Sequence, residues 1–183
     1  DTFVNYRSPV QATAFLGGFF KSMQDAGTEH LILDLRNNGG GSEDVSVALG
    51  RYLIPQPFLW SNPIRYKAVR YGDLEQYFET WGDRDARFSP PLTAFTKTAD
   101  GWYERIPVLQ GPELSDSDST FVQQPVADGA FTRRLTILSG PRNGSGATRT
   151  IAQLKEKVGA VVIGEDSAGS AEGPTSGSVF LLG

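Results

Sequence analysis

The sequence predicts a mixed α/β domain built around parallel strands, and three observations carry that reading. Between Arg134 and Ile163 a strand, a Gly-rich turn, a helix and a second strand follow one another. That is the spacing of a βαβ unit, which joins parallel strands by a right-handed crossover. His30 to Leu35 is a short apolar run with a charge near its end, broken by Asn37-Asn-Gly-Gly-Gly41, and reads as a strand buried on both faces. A helical pattern follows that turn as well, so one strand-to-helix device is used twice without any internal repeat.

Taken in order, Thr2 to Tyr6 reads as a short strand. Val10 to Asp25 places Val10, Ala14, Phe15, Phe19 and Met23 near helical spacing, and Gly27 is the stop signal. After the strand at His30–Leu35, Ser42 offers an N-cap to a helix carrying Val45, Val47, Leu49 and Leu53, which Pro55 ends. Seven of the eleven prolines fall within residues 56–130, among many aromatics and the run Ser115-Asp-Ser-Asp-Ser119. Regular elements there are expected to be few and short, as in a loop-rich lid or insertion, with one helix from Asp73 to Trp81. Order returns with strands at Arg134–Leu138 and Ala160–Ile163, a loop at 139–144, a helix over Ala147–Val158, and a last strand from Ser178 to Leu182. Strand signals run to both termini without a polar tail. The expectation is a single core piece, residues 1–183, excised from a longer protein whose remaining domains are its partners.

At 183 residues the chain is long enough for one sizeable core. With 39% hydrophobic and 21% charged residues it has a globular composition, so global disorder is excluded. A formal charge of −4 with no basic run lacks the footprint of a nucleic-acid binder and disfavours anionic membranes. No Cys and a single His leave no thiolate chemistry and no His-built metal site from within this chain. No metal or organic cofactor is expected. No apolar run approaches 18 residues, and no leader opens at Asp1.

The chemistry-bearing segments are the two junctions, Asp34-Leu-Arg-Asn-Asn-Gly-Gly-Gly41 and Gly140-Pro-Arg-Asn-Gly-Ser-Gly-Ala147. Each presents backbone N–H groups at a helix N-terminus, where developing negative charge is favoured. A phosphate loop fails here: Ser145 stands where its second glycine belongs, and its Lys is absent. The dinucleotide fingerprint fails at Arg149, where its third glycine belongs. A serine in a loop opening a helix can point outward, with the N–H of the next residue, Gly146, beside an oxyanion formed on an attacked carbonyl. The bland role for such a serine is an N-cap.

Leu31-Ile-Leu-Asp-Leu-Arg-Asn-Asn-Gly-Gly-Gly41 closely resembles the signature of the tail-specific or C-terminal-processing serine peptidases and their tricorn-core relatives. The likeness continues through the strand Leu135–Leu138, Ser145, the helix Thr148–Val158, the strand Ala160–Ile163 and Gly164-Glu-Asp-Ser-Ala-Gly169, similar to a Gly-Glu-x-Thr-x-Gly segment of that family. Phe95 to Tyr103 resembles the variable stretch before the nucleophile in secreted members. The resemblance implies a crotonase-like (ClpP/crotonase) β/α spiral with a loop-rich insertion, a peptide or protein substrate, and a periplasmic or secreted location. It assigns Ser145 as nucleophile and the N–H groups of Gly146 and Gly40 as oxyanion donors. Gly41 is the second choice to Gly40, and Gly39 and Gly41 flank the substrate.

Two departures from the family pattern bear on activation. Ser145-Gly-Ala-Thr148 replaces the usual Ser-Ala-x-Glu, and Ser170 stands where the tail-specific branch has its general-base Lys. Lys155 and Lys157 lie about 15 Å or more along the helix from Ser145, out of reach. The tricorn-like branch takes its base from a His near the start of the protease core, with a Ser and a downstream Glu, places that fall outside residues 1–183. His30 enters a strand whose far end carries the oxyanion turn, some 17 Å away. The reading is therefore a tricorn-like serine peptidase, incomplete in this piece. The alternative is a non-catalytic peptide- or apolar-ligand-binding module on the same fold, like the interphotoreceptor retinoid-binding proteins. Asp34 with Arg36 reads as a clamp on the Gly-rich turn. Glu165 and Asp166 read as turn residues, and the aromatics Trp60, Tyr66, Tyr71, Tyr77, Phe78 and Trp81 as packing within the insertion.

Overall fold

The computed structural model describes residues 9–61, 65–80, 91–106, 122–171 and 178–180. The chain divides into two compact units, Asp1–Ser61 with Pro112–Gly173, and Asn62–Gly111 with Pro174–Gly183. The strand expected at Thr2–Tyr6 lies outside the described residues.

The first unit holds the helices α1 (Pro9–Asp25), α2 (Glu43–Leu53) and α3 (Ser145–Val158) and the strands β1 (His30–Asp34), β2 (Phe58–Leu59), β7 (Val122–Gln123), β8 (Arg134–Ser139) and β9 (Val161–Gly164). The principal sheet has the order β1-β8-β9 and is parallel throughout, with Leu31 beside Leu135 and Leu138 beside Ile163. The βαβ unit read at 134–163 is thus β8-α3-β9. Leu31, Leu135 and Ile137 face a buried cluster with Leu16 and Phe20 of α1, Val47 and Leu53 of α2, and Leu154 of α3. Each such side chain removed from water stabilises the fold by about 1.5–3 kcal/mol.

The sheet corrects one expectation: β1 is not buried on both faces. Ile32, Val161 and Ile163 are all more than half exposed on the face opposite the helices. The apolar run encodes strand propensity on that side, not burial. The face of α1 is corrected too. Ala12, Leu16, Phe20 and Met23 pack inward, while Phe15 and Phe19 stack on each other in the open. Ser42 sits at the N-cap of α2 without a side-chain capping bond, and Glu43 and Asp44 in the first turn supply the favourable charge instead. Trp60 packs edge-on to Phe58 and over Gly50, where a Cβ would meet the indole at 2.6 Å.

The second unit is made of short pieces. β3 (Arg65–Tyr66), β5 (Phe95–Lys97) and β6 (Tyr103–Arg105) form an antiparallel sheet in the order β3-β6-β5, and β4 (Phe78–Thr80) pairs antiparallel with β10 (Ser178–Phe180). The helix expected from Asp73 to Trp81 is instead a 3₁₀ segment, Gly72–Tyr77, running into β4, and Trp81 lies outside the described residues. Pairing of 78–80 with 178–180 supplies ladder hydrogen bonds that a local helix would have made within itself. Tyr71 and Tyr77 are exposed, whereas Tyr66 packs edge-on to Phe95.

Candidate active site

The two Gly-rich junctions lie against each other at the carboxyl ends of β1 and β8. In the first, the Arg36 guanidinium grips the Asp34 carboxylate with two hydrogen bonds, 2.9 Å from Nε and 2.7 Å from Nη2, and the Arg36 N–H adds a third at 3.1 Å. These bonds, the guanidinium's first and the backbone's second, hold the Asp34 carboxyl down to about 2. The expected clamp is present.

The turn then winds through left-handed backbone at Gly40 (φ 105°) and Gly41 (φ 133°). Gly40 has no room for a side chain, since a Cβ there would lie 2.7 Å from the Gly144 carbonyl, 2.8 Å from Ser145 Cβ and 3.0 Å from the Gly146 nitrogen. The structure thus brings Gly40, Ser145 and Gly146 together. Gly39 and Gly41 are exposed. The Gly40 N–H donates to Asn38 Oδ1 at 2.9 Å, so this expected oxyanion donor is engaged in the present conformation.

In the second junction Gly144 holds the cap position, and Ser145 is the first residue of α3. The capping role weighed for Ser145 therefore falls to its neighbour, whose carbonyl receives the Ala147 N–H at 3.0 Å. Ser145 is exposed, and its φ of 45° makes it the one non-glycine among the described residues in positive-φ backbone. Such conformations are costly for a residue bearing a Cβ and persist where the surroundings over-determine them. The N–H of Gly146 lies in the first turn, where helix geometry provides no intrahelical acceptor.

What over-determines the loop was not read from the sequence. Asn143 is fully buried. Its Oδ1 accepts the Gly140 N–H at 2.8 Å, and its Nδ2 donates to the carbonyls of Leu35 and, at 3.1 Å, Asn38. Its own carbonyl accepts the Gly169 N–H at 3.1 Å. One side chain thus ties both junctions, and its backbone ties the segment after β9. The available signal was the matched Asn-Gly steps, Asn38-Gly39 and Asn143-Gly144. A second cross-tie joins α2 to α3: Arg149 pairs with Glu43, and both bond the Ser61 hydroxyl, at 2.7 and 3.0 Å.

The segment after β9 passes over Ser145. A Cβ on Gly169 would lie 2.6 Å from Thr148 Oγ1 and 3.1 Å from the Ser145 nitrogen, and the next residue, Ser170, is exposed. His30 is at the opposite end of β1, exposed, with Nε2 at 2.9 Å from Thr136 Oγ1. Lys155 is exposed in the last turn of α3. Ser139 donates to the Glu165 carbonyl at 2.9 Å, and Glu165 and Asp166 are exposed. Among the described residues no group of three or more His, Asp or Glu side chains is placed to hold a metal, and no helix is long and apolar enough to cross a membrane.

No curated protein matches the chain. A solved structure, a "putative peptidase from Parabacteroides merdae ATCC 43184", shares the fold with a TM-score of 0.50 at 13% identity, over 93% of this chain. The present chain spans 39% of that protein's length. The model of peptidase family S41 matches residues 3–177. The family resemblance carried by residues 31–41 is thereby borne out: the chain belongs to peptidase family S41.

Proposed function

We propose that the chain is the nucleophile-bearing part of a serine-type peptidase, built on a crotonase-like β/α spiral. Ser145 Oγ attacks the scissile carbonyl carbon while a base takes its proton. The resulting oxyanion is held by the Gly146 N–H and by the Gly40–Gly41 turn. Collapse expels the amine, which takes back the proton, and water then hydrolyses the acyl-enzyme. The base is a His outside residues 1–183, as the tricorn-like branch would supply it, and no metal or cofactor takes part. The observation that carries the reading is the strained, exposed Ser145 at a helix N-terminus, packed against a glycine that tolerates no side chain.

One observation favours the non-catalytic alternative. The Gly40 N–H already serves Asn38, so it reaches an oxyanion only by releasing that bond, or the donor is Gly41. Peptide hydrolysis by the full-length protein separates the readings. Ser145→Ala is expected to lower kcat by about 10⁴-fold or more. Hydrolysis that survives the substitution, or peptide binding without turnover by the wild type, would remove Ser145 from the role.

A further inference from the structure

We propose that the cleft at the carboxyl ends of β1, β8 and β9 is a subsite for a carboxylate of the peptide, with Arg142 as its principal cation. The inference rests on the peptidase reading and deepens it to a substrate preference. The cleft is a solvent-open depression of about 500 Å³ between Arg36 and Asn37 after β1, Ser139 and Arg142 after β8, and Glu165 after β9. Crevices outside the carboxyl ends of parallel strands are where α/β sheets take ligands, because successive loops converge there. Here the loops bring two guanidinium groups and one amide to a single concavity.

The charges divide the work. Arg36 is committed to Asp34 by its paired hydrogen bonds, which fix its orientation and offset its charge. Arg142 has no carboxylate within salt-bridge distance among the described residues, and it is exposed. Its planar fork matches a carboxylate, a geometry a lysine would not reproduce. Glu165, on the wall after β9, is the one carboxylate lining the cleft and opposes an anion.

The walls are set before any ligand arrives. Asn143, next to Arg142, pins the loop to the β1 turn, and a Cβ on Gly140 would lie 3.2 Å from the Arg36 carbonyl, so the two loops are in close contact. Arg142 precedes Ser145 by three residues, which limits their Cα separation to about 11 Å. An extended peptide advances about 3.3 Å per residue, so with the reach of the arginine side chain added the carboxylate falls within about six residues of the scissile bond. Two sources fit this chemistry: the chain terminus, or an Asp or Glu side chain.

Binding to the full-length protein carrying Ser145→Ala tests the subsite without turnover. Three fluorescent peptides of one core sequence are compared: one with a free C-terminal carboxylate and no acidic side chain, one amidated with a Glu near the end, and one amidated without any carboxylate. At least one carboxylate peptide is expected to bind about tenfold more tightly than the third, and which one it is names the source. Arg142→Gln is expected to abolish the difference, Glu165→Gln to enlarge it, and high salt to shrink it. Equal affinity for all three peptides, or a preference that survives Arg142→Gln, overturns the proposal. Loss of the peptidase reading looks different, since it is absence of hydrolysis by the wild type whatever the binding preference.

Discussion

The two glycine-rich junctions meet similar stereochemical demands with different residues. After β1 the positive-φ positions are Gly40 and Gly41, and the turn carries no side chain there to strain. After β8 the positive-φ position is Ser145, which retains its Cβ and the associated cost. Glycine is used where backbone must approach backbone, and strain is accepted at an exposed serine. The second junction therefore needs restraint from outside itself, and the bonds from Asn143 to Leu35, Asn38 and Gly140 supply it.

Removing that restraint should give the largest effect. Asn143→Ala leaves two carbonyls and an N–H buried without their partner, and a loss of about 3 kcal/mol or more is expected in urea unfolding. A loss under about 1 kcal/mol would mean that the junctions hold without it. Next comes the relaxed junction. Gly40→Ala forces a Cβ against Gly144 and Ser145 at φ 105°, with an expected cost of about 2 kcal/mol. Gly39→Ala, whose Cβ would lie 3.9 Å from the Arg142 carbonyl, an ordinary van der Waals contact, should cost much less. Equal costs would mean that crowding at Gly40 does not set the cost of a side chain there.

The strained junction should respond in the opposite direction. Ser145→Gly is expected to raise stability by about 0.5–1 kcal/mol while abolishing turnover, separating strain from folding. Destabilisation would show that the serine side chain is structural. The smallest effect belongs to Asp34. Its folded carboxyl sits at about 2 against an ordinary value of 3.8, so its contribution is present above about pH 4 and is lost as pH falls through 2. Unfolding midpoints of the wild type and Asp34→Asn should differ at pH 6 and converge toward pH 2. A difference independent of pH would trace the effect to shape instead of charge.

Elements whose signals are local were legible in the sequence. The three helices, β1, β8 and β9 follow from periodicity and from Gly and Pro punctuation, and the junctions that bring Gly40 to Ser145 were marked by their glycines. What was missed depends on partners far along the chain. Residues 78–80 are a strand because 178–180 pair with them, about a hundred residues away. Leu16 and Phe20 face the core while Phe15 and Phe19 do not, a choice set by where α2 lies and not by α1's own spacing. Asn143 reads as an ordinary turn residue until the β1 turn is brought beside it. Arg149 likewise gains meaning only from Glu43 and Ser61.

If the strained serine is the reactive one, covalent labelling will find it. Full-length protein treated with a fluorophosphonate and mapped by mass spectrometry is expected to carry one adduct, on the peptide containing Ser145, accompanied by loss of peptide hydrolysis and absent from Ser145→Ala. Loss of hydrolysis with the adduct on a different serine, Ser145 remaining unmodified, would contradict the account.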